Sequence, residues 1–192
     1  MPNQSTNNEV NVIILAAGQG TRMNSSISKV LHEVGNKTLI QHVIDAAMPL
    51  ASSINVIIGH NSESVKKSVS NNLITWVLQK DQLGTGHAVM QARPNIQENS
   101  MCLILYGDVP LIQTQTLLKL LEKANKTGFS LLTVIQNDPT GYGRIIRDSS
   151  KSIQSIIEQN DANDEELEID EINTGIMAIT GALLTKYLNQ LE

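Results

Sequence analysis

Four short apolar runs without polar alternation constrain this chain more than any other feature: residues 12–16, 54–58, 103–106 and 131–135. A strand with one wet face alternates, whereas a strand buried on both faces reads as an unbroken hydrophobic run. Between the runs, Ile40, Val43, Ile44 and Ala47 follow the i, i+3, i+4, i+7 spacing of a helix face, and Leu117, Leu120, Leu121 and Ala124 repeat it. Thr38 is placed to cap the first of these helices. Such alternation predicts an α/β fold, a Rossmann-like open and mostly parallel sheet with helices on both faces. From residue 138 onward the pattern changes to short β-like pieces (145–147, 153–157 and 175–179), expected to form a β-rich elaboration. The 192 residues fit one large domain, with a polar tail over 1–11 and the domain over 12–192.

Composition narrows the function. Lys and Arg number 14 against 19 Asp and Glu, a net charge of -5, and aromatics are 3%. A nucleic-acid partner calls for a basic face or stacking aromatics, so none is expected. No run approaches the roughly 18 apolar residues of a membrane span, and the N-terminus lacks a signal-peptide pattern, so a cytoplasmic protein without membrane contact is expected. Cys102, the single cysteine, lies in the apolar stretch 101–105 and reads as a buried structural thiol from a reducing compartment. The acidic residues between Asp161 and Glu171 read as a solvated loop rather than a metal cage.

The strongest local signal is Leu15-Ala16-Ala17-Gly18-Gln19-Gly20-Thr21-Arg22-Met23, directly after the first strand. Small residues at a strand end let backbone N–H groups approach an anion closely, and ligands of open parallel sheets sit outside the carboxyl ends of strands. A dinucleotide fingerprint fails at Met23, and a Walker A loop needs a Gly-Lys pair that the chain lacks. Arg22 and Lys29 follow, with nothing acidic before Glu33. Two cations beside a glycine loop suit phosphate, although the glycines alone fit a plain tight turn equally well. His32-Glu33 opens like a zinc-protease motif, but Asn36 stands where the second His belongs.

Residues 77–88, VLQKDQLGTGHA, run from a strand end through a loop into a helix start. Gln79 and Gln82 fit surface amides, yet amides also match the donor and acceptor edge of an uncharged base such as uracil. His87 falls in the first helical turn, with no catalytic role expected. Asp108 ends a buried strand in LYGDVP, as a turn cap or as a single carboxylate for Mg²⁺, which is usually held by one or two carboxylates plus substrate phosphates.

The opening LAAGQGTR…K resembles the sugar-nucleotide pyrophosphorylases. The ordered set LAAGQGTRM, LGTGHA, LYGDVPLI, DPTGYGRI and EINTGI is similar to the uridylyltransferase domain of the bacterial bifunctional N-acetylglucosamine-1-phosphate uridylyltransferases. That resemblance implies a nucleotide-diphospho-sugar transferase fold, UTP and N-acetylglucosamine 1-phosphate as substrates, and Mg²⁺ as cofactor. By position it assigns Leu15, Ala16, Ala17 and Gly18 to the nucleotide, and Arg22 and Lys29 to its phosphates. Gln79, Gln82, Gly84 and Thr85 fall at the uracil positions, and Asp108 at a Mg²⁺ ligand. Tyr106, Gly107, Gly143, Glu158 and Asn173 fall around the sugar. It further implies a domain incomplete at its C-terminus, without the segment supplying a second metal ligand and without the acetyltransferase part carrying the family's trimer contacts. Two other readings stay open: a related nucleotidyltransferase with another base or sugar, and a nucleotide-sugar-binding module without turnover.

Overall fold

The first apolar run becomes a central strand because both of its faces and both of its edges are covered. The computed structural model describes residues 9–18, 27–59, 62–69 and 71–191. It begins with β1 (Val10–Ala16), a hairpin of β2 (Glu33–Val34) and β3 (Lys37–Thr38), α1 (Leu39–Ala47), β4 (Ser53–Ile58), α2 (Glu63–Ser68) and β5 (Ile74–Leu78). Then come α3 (Thr85–Gln91), β6 (Met101–Tyr106), α4 (Thr114–Thr127), β7 (Phe129–Ile135), β8 (Arg144–Arg147) and β9 (Ile153–Ile157). The described chain closes with α5 (Asp164–Leu167), β10 (Glu171–Thr180) and α6 (Gly181–Leu188). Two compact units emerge, residues 1–130 with 177–192, and residues 131–176.

In the first unit β1, β4, β5 and β6 are parallel in the order β5-β4-β1-β6, and Met177–Thr180 at the end of β10 runs antiparallel beside β6. Register explains the missing alternation. Ile13, Ile57, Cys102 and Ile104 share one face and bury against Ala88 and Val89 of α3 and Leu184 and Leu188 of α6. The intervening Val12, Ile14, Ile54, Val56, Leu103 and Leu105 are all fully buried on the other face. There α4 packs on β6 and α1 packs on α4, through the apolar stripes expected of them. Thr38 caps α1, its hydroxyl accepting from the Gln41 N–H. Each fully buried Val, Leu or Ile contributes roughly 1.5–3 kcal/mol, so both faces of the strands stabilise the unit.

Two buried polar residues of these strands, Asn11 and Asn55, lie toward their amino ends. Asn11 donates to Ser100 Oγ at 2.9 Å, and Asn95 donates to Asn55 Oδ1 at 2.7 Å, so these buried groups are satisfied.

The run at 131–135 behaves differently. β7 belongs largely to the second unit, pairs with β10, and leaves Val134 and Ile135 exposed. A mainly apolar run, here interrupted by Thr133, is therefore no guarantee of two covered faces: within β7 only Ser130 is buried. β8 and β9 form an antiparallel pair, and Ile172 of β10 pairs with Arg144 of β8. β10 has ten residues where the sequence suggests only 175–179, because its polar first half gains partners that no local pattern announces. Arg147 and Glu171 make a two-pronged contact at 2.6 and 2.7 Å, which holds the Glu171 carboxyl below its ordinary range. Elsewhere the acidic stretch supplies the first turn of α5, where Asn163 and Glu166 form a capping box and negative side chains suit the helix N-terminus.

Cys102 is fully buried, and burial pushes its thiol up to about 11. A thiol reagent at pH 8 should leave the native chain unmodified for minutes and titrate one thiol after unfolding in urea; rapid native labelling would contradict the closed β6 interior. The unfolded thiol ionises at its ordinary value, so stability should fall as pH rises from there through about 11. A Cys102→Ala variant, measured by urea denaturation, should lack that component of the slope.

Candidate functional site

The parallel ladder continues past the strand ends, and this is what builds the site. Gly107 N–H donates to Leu15 O at 2.9 Å, and Gln79 N–H donates to Ile58 O at 2.8 Å. The loops after β1, β5 and β6 thus leave from one edge, the carboxyl edge at which parallel sheets bind ligands.

They enclose a cleft of about 420 Å³. One wall is the expected nucleotide loop, Leu15, Ala16, Ala17 and Gly18. Gln79, Gln82, Gly84 and Thr85 form a second, and Lys29, Tyr106 and Asp108 complete the lining. Val30 and Ala88 also line it; as small apolar residues inside a short turn and a helix, they carry no sequence signal. Gly107 lies against the same edge, where a Cβ would meet Val30 Cγ1 at 3.2 Å and Leu15 O at 3.3 Å. Arg22 lies outside the described residues.

Gly143, Glu158 and Asn173 belong to the second unit and are neighbours there. Asn173 N–H donates to Gly143 O at 2.8 Å, and a Cβ on Gly143 would come within 3.1 Å of Glu158 Oε1.

Three local arrangements give the cleft its chemistry. Lys29 Nζ sits 2.6 Å from Asp108 Oδ2, both partly exposed. The sequence suggests a phosphate role for one and a metal role for the other, but not that they meet, because 79 positions separate them in the chain. Gln82 donates to Ala17 O at 2.8 Å, tying the loop after β5 to the loop after β1. Gln79 is buried, and its Nε2 lies 3.2 Å from Gly84 O and 3.1 Å from His87 Nδ1. Gly84 has φ 103°, a conformation that favours glycine, and it opens α3 by accepting from Ala88 N–H at 3.1 Å. His87 occupies the expected first turn of α3.

The cleft can therefore hold a polyanion beside a cation–carboxylate pair and a neutral hydrogen-bonding group beside two carboxamides. Among the described residues no three His, Cys, Asp or Glu side chains cluster as a metal cage. Asp108 alone suits a hard cation that arrives with phosphate oxygens as its other ligands.

Two curated relatives carry the name bifunctional protein GlmU. That from Vesicomyosocius okutanii is 51% identical over 185 residues, and that from Idiomarina loihiensis 47% over 185 residues. Each alignment takes in 96% of this chain and 41% of the relative, so the chain spans about two-fifths of the length of these proteins. A UDP-glucose pyrophosphorylase solved with UDP-glucose superposes with a TM-score of 0.76, over 96% of this chain and 80% of that one, at 19% identity. That likeness establishes the fold, the mixed and mostly parallel sheet of the nucleotide-diphospho-sugar transferases. Residues 12–165 match the MobA-like NTP transferase domain, and the chain belongs to that family.

Proposed function

We propose that this chain transfers a uridylyl group from UTP to N-acetylglucosamine 1-phosphate, giving UDP-N-acetylglucosamine and pyrophosphate for cell-wall and lipopolysaccharide precursors in the cytoplasm. The observation that carries this reading is the sharing of one cleft by the Lys29–Asp108 pair and the Gln79 and Gln82 amides. Its support comes from the ordered motifs of the sequence, the family match and the two GlmU relatives.

The nucleophile is a sugar-phosphate oxygen already ionised at neutral pH, so the reaction needs no general base. It attacks the α-phosphorus, and the bond to the bridging oxygen breaks with the electron pair leaving on pyrophosphate. What remains for the protein is in-line positioning and neutralisation of charge. The loop from Leu15 to Gly18 offers backbone to the phosphates, and Lys29 offers a point charge within reach of both Asp108 and an incoming phosphate. Arg22 joins it on the strength of the motif. Asp108 is the residue that would hold Mg²⁺, whose chemistry is to neutralise the phosphate oxygens. The motifs assign Tyr106 and Gly107 to the sugar and, on the strength of the resemblance alone, Gly143, Glu158 and Asn173 as well.

Pyrophosphate release should require UTP, N-acetylglucosamine 1-phosphate and Mg²⁺ together. Asp108→Ala and Lys29→Ala should each lower the rate on the order of 10²–10³-fold with unchanged circular dichroism. Wild-type turnover in either variant removes that residue from the mechanism, and equal turnover with other nucleoside triphosphates removes UTP. Calorimetric titration of UDP-N-acetylglucosamine, with GDP-mannose as control, tests the pocket independently of turnover.

Gly59 offers a second probe. A Cβ there would lie 3.0 Å from both Ala17 O and Gln82 Nε2. Gly59→Ala should displace the Gln82 amide and weaken UTP binding by roughly 2–10-fold, the worth of one neutral hydrogen bond. Unchanged affinity would show that the Gln82–Ala17 link does not support the base site.

A further inference from the structure

Counting hydrogens around Gln79 identifies a residue that the functional assignment leaves without a role. Gln79 Nε2 carries two hydrogens and has two neighbours, Gly84 O at 3.2 Å and His87 Nδ1 at 3.1 Å. A carbonyl oxygen only accepts, so the Gln79 atom facing Gly84 is the donor nitrogen. Its second hydrogen then faces His87 Nδ1, which accepts it in the neutral ring that carries its hydrogen on Nε2. With both amide hydrogens taken, Gln79 has only Oε1 left for a ligand in the cleft it lines.

That remaining atom is an acceptor. Uracil presents an N3–H donor to such a group, whereas cytosine presents an unprotonated N3 and would set acceptor against acceptor. The amide's orientation therefore decides the base, and Gly84 alone holds it weakly. Its 3.2 Å contact is at the long end of the N–H···O range, and Gly84 O also accepts from Ala88 N–H at 3.1 Å. The last torsion of a glutamine is broad and roughly two-fold, so the amide can turn over cheaply unless a second partner opposes it.

His87 is that partner. Its other nitrogen lies 3.1 Å from Gln91 Nε2, one helical turn further along α3. A neutral imidazole has one lone pair to offer, so Gln79 and Gln91 cannot both donate to it. Gln91 Nε2 also donates to His87 O at 3.2 Å, so each amide faces a backbone carbonyl with its nitrogen. Burial separates them: Gln79 is buried and keeps its place, whereas Gln91 is half-buried and is the side chain that can swing away from the ring.

We propose that His87 is a positioning residue that locks the Gln79 amide with Oε1 available and so sets the preference for a uracil over a cytosine base. This rests on the uridylyl reading above. The test titrates UTP, CTP and inorganic tripolyphosphate into the wild-type chain, His87→Ala and His87→Asn by calorimetry. His87→Ala should narrow the UTP-to-CTP affinity ratio about tenfold, the worth of one lost hydrogen bond, without changing tripolyphosphate affinity. His87→Asn, whose carbonyl can accept near the Nδ1 position, should recover most of the ratio. An unchanged ratio in His87→Ala, or an asparagine variant no better than alanine, overturns the proposal. Histidine ¹⁵N chemical shifts of the wild-type chain test it without any variant: Nδ1 of His87 should be unprotonated, and a hydrogen on Nδ1 overturns it. A wild-type chain binding UTP and CTP equally overturns the uridylyl reading itself, whereas a selective wild type with an unaltered alanine variant overturns only the role of His87.

Discussion

Parallel pairing on both edges of β1 brings Ala16 level with Ile58 on one side and Leu15 level with Tyr106 on the other. The cleft depends on that register. A slip of one residue would turn each buried side chain to the opposite face, and here both faces are lined with side chains shaped to their own helices. Because the strands cannot slide, their carboxyl ends form a fixed line. The small residues after β1, the Gln79 loop and the Gly107–Asp108 turn are therefore presented together.

The same pairing separates two kinds of polar chemistry. At the amino ends of the strands, Asn11, Asn55 and Ser100 are buried with their hydrogen bonds satisfied inside the protein. At the carboxyl ends, Lys29 and Asp108 remain partly open to solvent. A satisfied network contributes to a unique packing, whereas charges with accessible surface can exchange one partner for another. The polar residues of the sheet thus sort by the end of the strand on which they fall.

Much of this was legible in the sequence, for a physical reason. Two-face burial writes itself as a mainly apolar run without alternation, and a helix stripe as a 3.6-residue period, so β1, β4, β6, α1 and α4 could be read locally. The lining of the cleft was legible because the residues at strand ends are contiguous with those runs: Leu15 to Gly18 follow β1 and Asp108 follows β6. What could not be read depends on partners distant in the chain. The first half of β10 alternates no better than a loop and is ordered through β7 and β8. β7 looks like a core strand but lacks two covered faces. The meeting of Lys29 with Asp108 is a product of register, since neither side chain carries a local mark of the other.

His87 shows the limit most clearly. Its position in the first turn of α3 could be read from Gly84-Thr85-Gly86-His87, but its contact with Gln79 exists only because the loop between β5 and α3 brings the helix start back to the strand end. Eight residues apart in sequence, the two side chains meet because Gly84, with its positive φ, folds the intervening loop back on itself. In the proposed reaction the phosphates need charge and close backbone, which glycine and lysine supply almost regardless of fine geometry. The proposed base selection needs a particular atom of a particular amide to face outward, and that demand falls on hydrogen counts among neutral groups. The amide–imidazole contact is accordingly the part of the cleft that composition conceals and geometry exposes.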